Sequence, residues 1–280
     1  MQKLPYSRVY LEITNICNKS CSFCHGTRRA PGFMSFDELK RALDSLEGLT
    51  EYIYFHLMGE PLLHPELPLF IKEASDRGFK CAVTTNGSLI EDRGEELLSS
   101  RVYKVNISLH SFEDGAEKDF LSYIDSVCRF ADKASSMGIL TVLRLWNNGH
   151  DGGKNLKIEE LLKAHFKDEW VYGNRGARIR PKLHLEYGER FAWPDKEAEC
   201  GGEKLFCYGL GDHFGILCDG TVVPCCLDSD GVISLGNIFS DDLKSILSSA
   251  RAEAIKEGFK NKTAAEDLCR RCGYARRFKV

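Results

Sequence analysis

Apolar runs alternate with amphipathic segments over the first two thirds of the chain. Six runs have the apolar, β-branched and aromatic content of strands: Val9–Ile13, Tyr52–Leu57, Lys80–Thr85, Val102–Leu109, Ile139–Trp146 and Lys182–Tyr187. Helix-like segments separate most of them. Regular alternation of this kind predicts an α/β fold with a parallel sheet and outer helices, an open or partial (β/α) barrel.

Capping signals support the helix predictions. Ser35 and Glu38 have the spacing of a capping box, and they predict a helix that runs to about Glu47. Further helices are expected at about residues 65–77, 90–99, 117–137 and 157–166, and Gly78 and Gly138 are placed to end two of them. Polar side chains at strand ends are then expected to meet at one edge of the sheet.

The pattern changes after Pro194, where glycines cluster and strand–helix alternation stops. Asp219-Gly220 lies between two apolar runs and predicts a hairpin over 214–225 with a two-residue turn. Helices are expected near 241–249 and 251–258. We therefore predict a core domain at 1–195 and a small C-terminal domain at 196–280.

Composition narrows the class of protein. The 280 residues are 43% hydrophobic and 28% charged, with a net charge of −3, which is ordinary for a soluble enzyme. No global basic field favours nucleic acid or an anionic membrane. The start of the chain has no apolar signal-peptide region, so the twelve cysteines are interpreted as metal ligands and buried thiols in a cytoplasmic protein.

Three of the cysteines follow the first predicted strand at short spacing, in Cys17-x3-Cys21-x2-Cys24. Soft thiolates converging from one loop suit an iron–sulfur cluster, and three thiolates leave one corner of a four-iron cluster open. A zinc site would normally need a fourth protein ligand, for which His25 is the candidate. A disulfide framework is disfavoured by a reducing compartment.

This motif, with aromatic Phe23 before the third cysteine, resembles the signature of the radical S-adenosylmethionine (SAM) superfamily. The resemblance implies a partial (β/α)6 barrel and a 4Fe–4S cluster whose open iron binds SAM. It also implies an enzyme that reductively cleaves SAM to a 5′-deoxyadenosyl radical, which abstracts hydrogen from the substrate.

The resemblance extends to Met58-Gly59-Glu60-Pro61, which is similar to the Gly-Gly-Glu-Pro motif of the family. In the family this turn binds the amino group of SAM mainly through its backbone, so Met58 in place of glycine is compatible with that role. The resemblance further implies SAM contacts through Phe23 of the cysteine motif and, at the ends of later strands, through Asn86, Ser108, His110, Arg144 and Asn147. For His110 a purely structural role is the alternative.

Arg144 stands between two apolar residues of a predicted strand, so it is expected to face inward and to need an anionic partner. The SAM carboxylate is one candidate, and an internal salt bridge to Glu12 or Glu60 is the other. The end of the sixth strand carries His184, Glu186, Tyr187 and Glu189. We predict catalytic or substrate-binding roles there for Glu186, Tyr187 and Glu189, with a charged rim as the alternative.

The C-terminal cysteines resemble the shortened twitch form of the SPASM domain, which holds one auxiliary 4Fe–4S cluster. By this resemblance the ligands are Cys207, Cys225, Cys269 and Cys272. Cys226 is an alternative to Cys225, Cys218 is expected to pack in the hairpin, and Cys200 has no assigned role. A structural zinc ribbon is the alternative interpretation.

Two basic clusters remain. They are Arg175, Arg178, Arg180 and Lys182, and Arg270, Arg271, Arg276, Arg277 and Lys279. They are interpreted as solvated surface, or as sites for an anionic substrate or a flavodoxin- or ferredoxin-type reductant. The predicted substrate is a small polar molecule such as a sugar, cyclitol or modified heterocycle, converted by an oxidoreductase or lyase reaction. The alternatives are a peptide-modifying maturase and a non-catalytic zinc protein that binds nucleic acid.

Overall fold

A computed structural model describes residues 4–113 and 115–278. Its strands are β1 (Arg8–Leu11), β2 (Tyr52–Phe55), β3 (Lys80–Thr85), β4 (Lys104–Ser108), β5 (Leu140–Asn148), β6 (Val171–Gly173), β7 (Gly176–Arg180), β8 (Leu183–Glu189), β9 (His213–Ile216), β10 (Thr221–Val223) and β11 (Gly236–Asn237). Its helices are α1 (Phe36–Leu46), α2 (Leu67–Asp76), α3 (Ile90–Ser99), α4 (Glu117–Ser136), α5 (Lys154–His165), α6 (Leu243–Leu247), α7 (Ala250–Lys260) and α8 (Asp267–Arg270).

All eleven strands belong to one sheet, in the order β11-β10-β9-β1-β2-β3-β4-β5-β8-β7-β6. The strands from β9 through β1 to β5 and β8 run parallel, and helices α1 to α5 connect the six predicted core strands. The sheet has two edges, β11 and β6, so it is an open partial barrel. The predicted fold class is confirmed.

Alternation along the strands separates an apolar outer face from a polar inner face. Leu11, Ile53, Ile107 and Leu143 are fully buried in the main hydrophobic core, which also contains apolar residues of the helices. Burying one such side chain stabilises the fold by about 1.5–3 kcal/mol. Their sequence neighbours, such as Tyr10 and Arg144, point to the other side of the sheet, which we call the inner face.

Helix α1 begins as predicted. Ser35 Oγ accepts a hydrogen bond from Glu38 N at 3.3 Å, and Glu38 Oε2 accepts one from Ser35 N at 2.7 Å, so the capping box is complete. Such a cap stabilises a helix by roughly 1 kcal/mol.

The hairpin β6–β7 was not predicted. It pairs antiparallel with β8 and extends the sheet beyond the sixth core strand. All three residues of its first strand are exposed, and the sequence shows little hydrophobic alternation there. The cross-strand pairing, and not the local pattern, makes this segment a strand.

The hairpin β9–β10 is confirmed, but the prediction of a two-residue turn at Asp219-Gly220 is wrong. Gly220 N donates to Leu217 O at 2.8 Å, and Leu217 N donates to Thr221 O at 2.8 Å, so the turn spans Leu217–Gly220. Gly220 has φ +85°, and a Cβ there would lie 2.5 Å from the Phe239 ring, so glycine is required.

Strand β9 lies beside β1 and pairs with it over four residues, from Arg8↔His213 to Leu11↔Ile216. The C-terminal segment therefore continues the sheet of the core, and the domain boundary near residue 195 remains a prediction. Within the described part of the chain, no helix is both long and apolar enough to cross a membrane.

Candidate active site

The loop with Cys17, Cys21 and Cys24 follows β1 at the edge where the parallel strands have their carboxyl ends. All three thiols are free. Burial raises the pKa of Cys21 to about 12, and the nearby Glu113, Cys24 and Cys17 add to this rise. Cys17 and Cys24 both contribute to the rise at Cys21, which puts the three thiols in one neighbourhood. A set of three unbonded soft donors fits a four-iron cluster with one open corner.

Gly59 packs directly against the backbone at the start of this loop. It has φ +76°, and a Cβ at this position would lie 2.4 Å from Thr14 O and 2.9 Å from Ile16 O. Glu60 N donates to Ile16 O at 2.8 Å. The close approach that glycine permits here is to the chain itself, at the start of the cysteine loop. Its predicted role toward SAM stays a prediction.

The side chain of Glu60 ties strand ends together. Its carboxylate accepts hydrogen bonds from Asn86 N at 2.7 Å and from Leu62 N at 3.0 Å. Burial raises the pKa of Glu60 to about 7, although the backbone donors oppose the rise. Asn86 in turn donates to Asn18 Oδ1 at 2.9 Å, inside the cysteine loop. The ends of β2 and β3 are thus fastened to that loop.

Met58 lies just before this turn and is buried. Its backbone N–H donates to Glu12 Oε2 at 3.2 Å, and its side chain packs with Leu57, Leu217 and Val223. The residue that replaces the family's first glycine therefore fills an apolar contact between the core and the β9–β10 hairpin.

His110 connects the ends of β4 and β5. Its Nδ1 lies 3.1 Å from Arg144 O and 3.3 Å from Trp146 N. Burial lowers the pKa of His110 to about 4, so the ring is neutral at physiological pH. The Phe23 ring packs against it with centroids 4.7 Å apart. These contacts support the structural alternative for His110.

A cavity of about 260 Å³ lies next to this pair. Phe23, His110 and Asn147 line it, together with Glu113, Asp151 and Arg190. Three of the residues predicted to bind SAM therefore border one cavity beside the cysteine loop. Ser108 ends β4, directly opposite Arg144 in the register of β4 and β5.

Arg144 faces inward as predicted, but its partner is neither Glu12 nor Glu60. Its Nε lies 3.3 Å from Glu186 Oε2, and its guanidinium stacks over the Trp146 ring at 4.4 Å. Glu12 instead pairs with Arg29 at 2.6 Å. Arg144 and Glu186 are register partners on β5 and β8, which explains the pairing. Burial lowers the pKa of Arg144, while the Glu186 carboxylate opposes this.

The three predicted catalytic residues separate in space. Glu186 lies on the inner face beside Arg144. Tyr187 points to the outer face, where its OH donates to Glu159 of α5 at 2.5 Å. The Glu189 side chain is 80% exposed and lies 3.9 Å from Arg277. The structure therefore brings only Glu186 of these three to the inner face, and the roles of the other two stay predictions.

Several inner-face residues were missed by the sequence analysis. Tyr10, Tyr54 and His56 pack ring against ring, with centroids 5.3–5.8 Å apart. His56 Nδ1, Asn106 Oδ1 and Trp146 Nε1 are buried without a hydrogen-bond partner among the described residues. The available signal was the strand Tyr52-Ile53-Tyr54-Phe55, followed by His56, whose alternation places polar rings on the face opposite the core.

The C-terminal cysteines gather around Cys207. Burial raises the pKa of Cys269, and Cys207 and Cys272 raise it further. Burial likewise raises the pKa of Cys225, with contributions from Cys226, Cys207 and Cys269. The thiols of Cys207, Cys225, Cys269 and Cys272, with Cys226 beside Cys225, therefore share one neighbourhood, and such a donor set fits an iron–sulfur cluster. Among the described residues, no three His, Cys, Asp or Glu side chains converge tightly enough to hold a single metal ion. A cluster does not require such convergence, because each thiolate binds its own iron.

The remaining C-terminal cysteines have different surroundings. Cys226 packs against the same apolar cluster as Tyr10, and Tyr10 opposes the rise that burial causes in the pKa of Cys226, so this thiol lies toward the inner face. Cys218 is buried in the hairpin turn, 3.7 Å from Arg29 Nη1. Cys200 is exposed. The choice of Cys225 over Cys226 as ligand stays a prediction.

In the basic cluster at residues 270–279, most of the arginines have a carboxylate or carbonyl partner. Arg270 lies 3.5 Å from Glu203, Arg271 lies 3.0 Å from Asp267, and Arg276 donates to Glu199 O. Lys279 lies outside the described residues. In the first cluster Arg180 pairs with Asp132. Arg175 and Arg178 have no salt-bridge partner among the residues that the structure describes, and they line a second cavity.

Family models match both parts of the chain. The model described as "Radical SAM superfamily" matches residues 11–165, and the SPASM model, "Iron-sulfur cluster-binding domain", matches residues 207–273.

Curated relatives span much of the same length. A GTP 3′,8-cyclase of Campylobacter jejuni is 31% identical, covering 93% of this chain and 91% of the relative. A probable GTP 3′,8-cyclase of Methanococcus maripaludis is 27% identical, covering 81% and 87%. A tungsten-containing aldehyde ferredoxin oxidoreductase cofactor-modifying protein of Pyrococcus furiosus is 38% identical over 88 residues, and the match spans 25% of that relative.

Solved structures share the fold. BtrN in complex with AdoMet and 2-DOIA superposes with a TM-score of 0.59 at 20% identity, covering 97% of this chain and 94% of BtrN. Streptococcus suis SuiB bound to S-adenosylmethionine gives 0.62 at 14% identity, covering 96% and 70%. The predicted family is confirmed, and the interpretation as a non-catalytic zinc protein is wrong. The chain belongs to the radical SAM superfamily, and it is an enzyme that uses SAM and a 4Fe–4S cluster and carries a C-terminal SPASM domain for an auxiliary cluster.

Proposed function

We propose that this enzyme abstracts hydrogen from a small polar molecule bound on the inner face of the sheet. The observation that carries the proposal is a group of three buried inner-face atoms, His56 Nδ1, Asn106 Oδ1 and Trp146 Nε1, which have no hydrogen-bond partner among the described residues. Leaving such an atom unsatisfied costs about 1–3 kcal/mol. A hydroxylated or heterocyclic ligand would supply the missing hydrogen bonds.

The site residues divide into those near the cysteine loop and those deeper on the inner face. SAM and the 4Fe–4S cluster, when bound, supply the 5′-deoxyadenosyl radical. We propose that Cys17, Cys21 and Cys24 hold that cluster and that Phe23, Asn147 and Ser108 border SAM. The neutral ring of His110 fixes the ends of β4 and β5, which keeps the wall of this cavity in place.

Arg144 and Glu186 lie between these two regions. Arg144 offers a buried cation for the SAM carboxylate, because burial makes an additional anionic contact favourable. Glu186 is the inner-face carboxylate that would accept the proton of a substrate radical whose electron passes to the auxiliary cluster, and its side chain is 34% exposed. Electrons for cluster reduction would come from a flavodoxin- or ferredoxin-type protein.

A second candidate substrate class is a purine nucleotide. The relative of Campylobacter jejuni, a GTP 3′,8-cyclase, matches over 93% of this chain at 31% identity. A nucleotide is also small, polar and hydroxylated. Its base and ribose would suit the same unpartnered atoms of His56, Asn106 and Trp146.

The test is substrate-dependent radical chemistry in anaerobically reconstituted enzyme with SAM and dithionite. We expect GTP, or a member of a panel of sugars and cyclitols, to raise 5′-deoxyadenosine formation above the rate without substrate. Deuterium on the carbon atoms of the active compound should appear in 5′-deoxyadenosine. Enzyme with both clusters loaded that forms no 5′-deoxyadenosine under any of these conditions would contradict the proposal.

A further inference from the structure

We infer that the inner face carries a subsite for an anionic group of the substrate, a phosphate or carboxylate, at the open side of the barrel. The inference rests on the proposed function for the existence of a substrate, but the binding itself can be tested separately. The subsite lies in a cavity of about 500 Å³ between β5, β8, β7 and β6. That volume is within the range of about 300–1,000 Å³ typical of ligand sites.

The residues that line this cavity are more basic than acidic. Arg175, Arg178 and His184 line it, and Glu186 is the single carboxylate among its described lining residues. Glu186 is already paired with Arg144. The lining therefore has two arginines without a salt-bridge partner among the residues described, and an anion is the natural complement.

Strand register brings a third cation without a salt-bridge partner among the described residues, Lys104, to the border of the cavity, beside its lining residue Leu140. Arg178 is opposite His184, and His184 is opposite Val142. Lys104 is opposite Leu140, one step lower on the same face. The proximity is visible in His184, whose pKa is lowered first by burial and then by Arg178 and Lys104.

Lys104 is itself short of negative charge. Its pKa is lowered by burial and by repulsion from Arg144 and Arg8, against attraction by Glu186 alone. No described residue makes a salt bridge to it; Arg8 and Arg144 each have one carboxylate partner, Asp212 and Glu186. Lys104 is half-buried, lies near two arginines and has no salt-bridge partner among the described residues, so an anion that binds beside it would be stabilised.

A second observation points to a ligand at the border of this cavity, beside its lining residue Val142. Asn106 is fully buried, and its register partner on β5 is Val142, in the same row as His184 and Arg178. Its Nδ2 is 3.1 Å from Thr84 Oγ1, whereas its Oδ1 has no partner among the described residues. An unused carbonyl acceptor in a row with basic groups suits a molecule that carries both a hydroxyl donor and an anionic group.

Charge on the other elements around the cavity does not cancel this field. Strand β6 contributes Val171, Tyr172 and Gly173, and β5 contributes Leu140 and Val142, none of which is charged. Arg180, at the end of β7, is neutralised by Asp132 and Asp168 outside the cavity. The anion class therefore follows from Arg175, Arg178 and Lys104 together.

The probe for this subsite is inorganic pyrophosphate, titrated into the reconstituted holoenzyme by calorimetry at low ionic strength. We expect saturable binding of one pyrophosphate per chain. Lys104→Met and Arg178→Gln should each weaken it by about tenfold or more, which is the loss expected for one charge-assisted contact. Lys104→Arg should retain most of the affinity. Lys244→Met, which removes an exposed lysine in α6, is the matched control and should bind as the wild type does.

A comparison of GTP with guanosine extends the test to a hydroxylated ligand. GTP should bind the wild type at least about tenfold more tightly than guanosine, and Arg178→Gln should reduce this difference, because the lost contact is to the phosphates. Equal loss in Lys104→Met and Lys244→Met, or no binding of pyrophosphate and GTP to wild type at millimolar concentration, would overturn the subsite. Pyrophosphate binding without SAM cleavage would instead contradict the proposed function and leave the subsite standing.

Discussion

The two cluster sites that we propose for this enzyme are built in opposite ways. The first takes Cys17, Cys21 and Cys24 from one loop, so eight consecutive residues supply the donor set. The second takes Cys207, Cys225, Cys269 and Cys272 from the segments before β9, after β10 and around α8. The first is therefore legible as a local motif, whereas the second exists only when the hairpin and the C-terminal helices have packed together. The comparison predicts that the first site tolerates changes elsewhere in the fold better than the second.

The largest expected effect comes from replacing Cys17, Cys21 and Cys24 together by Ala, which should remove the first cluster and leave the second. About four of the eight iron atoms expected for two cubanes should be lost, and formation of 5′-deoxyadenosine should fall to background. Iron and sulfide analysis and product chromatography measure this. Cys128→Ala, a buried cysteine of α4, is the control and should keep both clusters. Persistent 5′-deoxyadenosine in the triple variant would show that these cysteines do not hold the SAM cluster.

The second site is tested by comparing Cys269→Ala with Cys226→Ala. Cys269 is influenced by Cys207 and Cys272, so its loss should remove or degrade the auxiliary cluster. Cys226 packs against the apolar cluster that Tyr10 also contacts, so its loss should leave the iron–sulfur cluster in place. EPR of each variant, prepared in the background without the first three cysteines, shows the auxiliary cluster alone. An intact spectrum in Cys269→Ala together with a lost one in Cys226→Ala would exchange the two assignments.

The surroundings of the first site are tested with Arg144→Ala and Glu186→Gln. Removing Arg144 should weaken SAM binding by roughly tenfold or more, the loss of one hydrogen bond to a charged group of about 1.5–3 kcal/mol. Glu186→Gln should leave SAM affinity nearly unchanged while it lowers the substrate-dependent rate. Calorimetry with loaded clusters separates the two effects. Wild-type SAM affinity in Arg144→Ala would remove this residue from the SAM site.

The smallest expected effect concerns Glu60, whose side chain fastens strand ends to the first cysteine loop. Burial raises the pKa of Glu60 to about 7, above its ordinary value of 4.5. Because the pKa is raised in the folded state, the contribution of Glu60 to the free energy of unfolding is greatest below about pH 4.5. It is lost as the pH rises through 7. The full shift corresponds to about 3 kcal/mol as an upper bound.

Glu60→Gln removes this titration. Relative to wild type, the variant should gain in free energy of unfolding between pH 5 and 7.5, offset by a constant loss of one backbone hydrogen bond. Denaturant unfolding under anaerobic conditions at several pH values measures the difference. Parallel pH profiles for the two proteins would show that Glu60 does not titrate in this range.

The local elements were largely predictable. The capping box at Ser35, the bounds of α3 and the six core strands follow from apolar periodicity and capping residues, which depend on neighbours within a few positions. The cysteine spacing and the turn at Gly59 identified the family for the same reason. These features are set by short stretches of sequence, and the sequence by itself determined them.

The tertiary structure decided which groups meet. Glu186 became the partner of Arg144 because β8 pairs with β5, and Tyr187 was turned toward α5 by the same register. The exposed hairpin β6–β7 became part of the sheet through pairing with β8, and β9 found its place beside β1, some two hundred residues away in sequence. Periodicity shows that alternate residues face opposite ways, but only packing of the whole sheet against its helices selects which set faces the substrate.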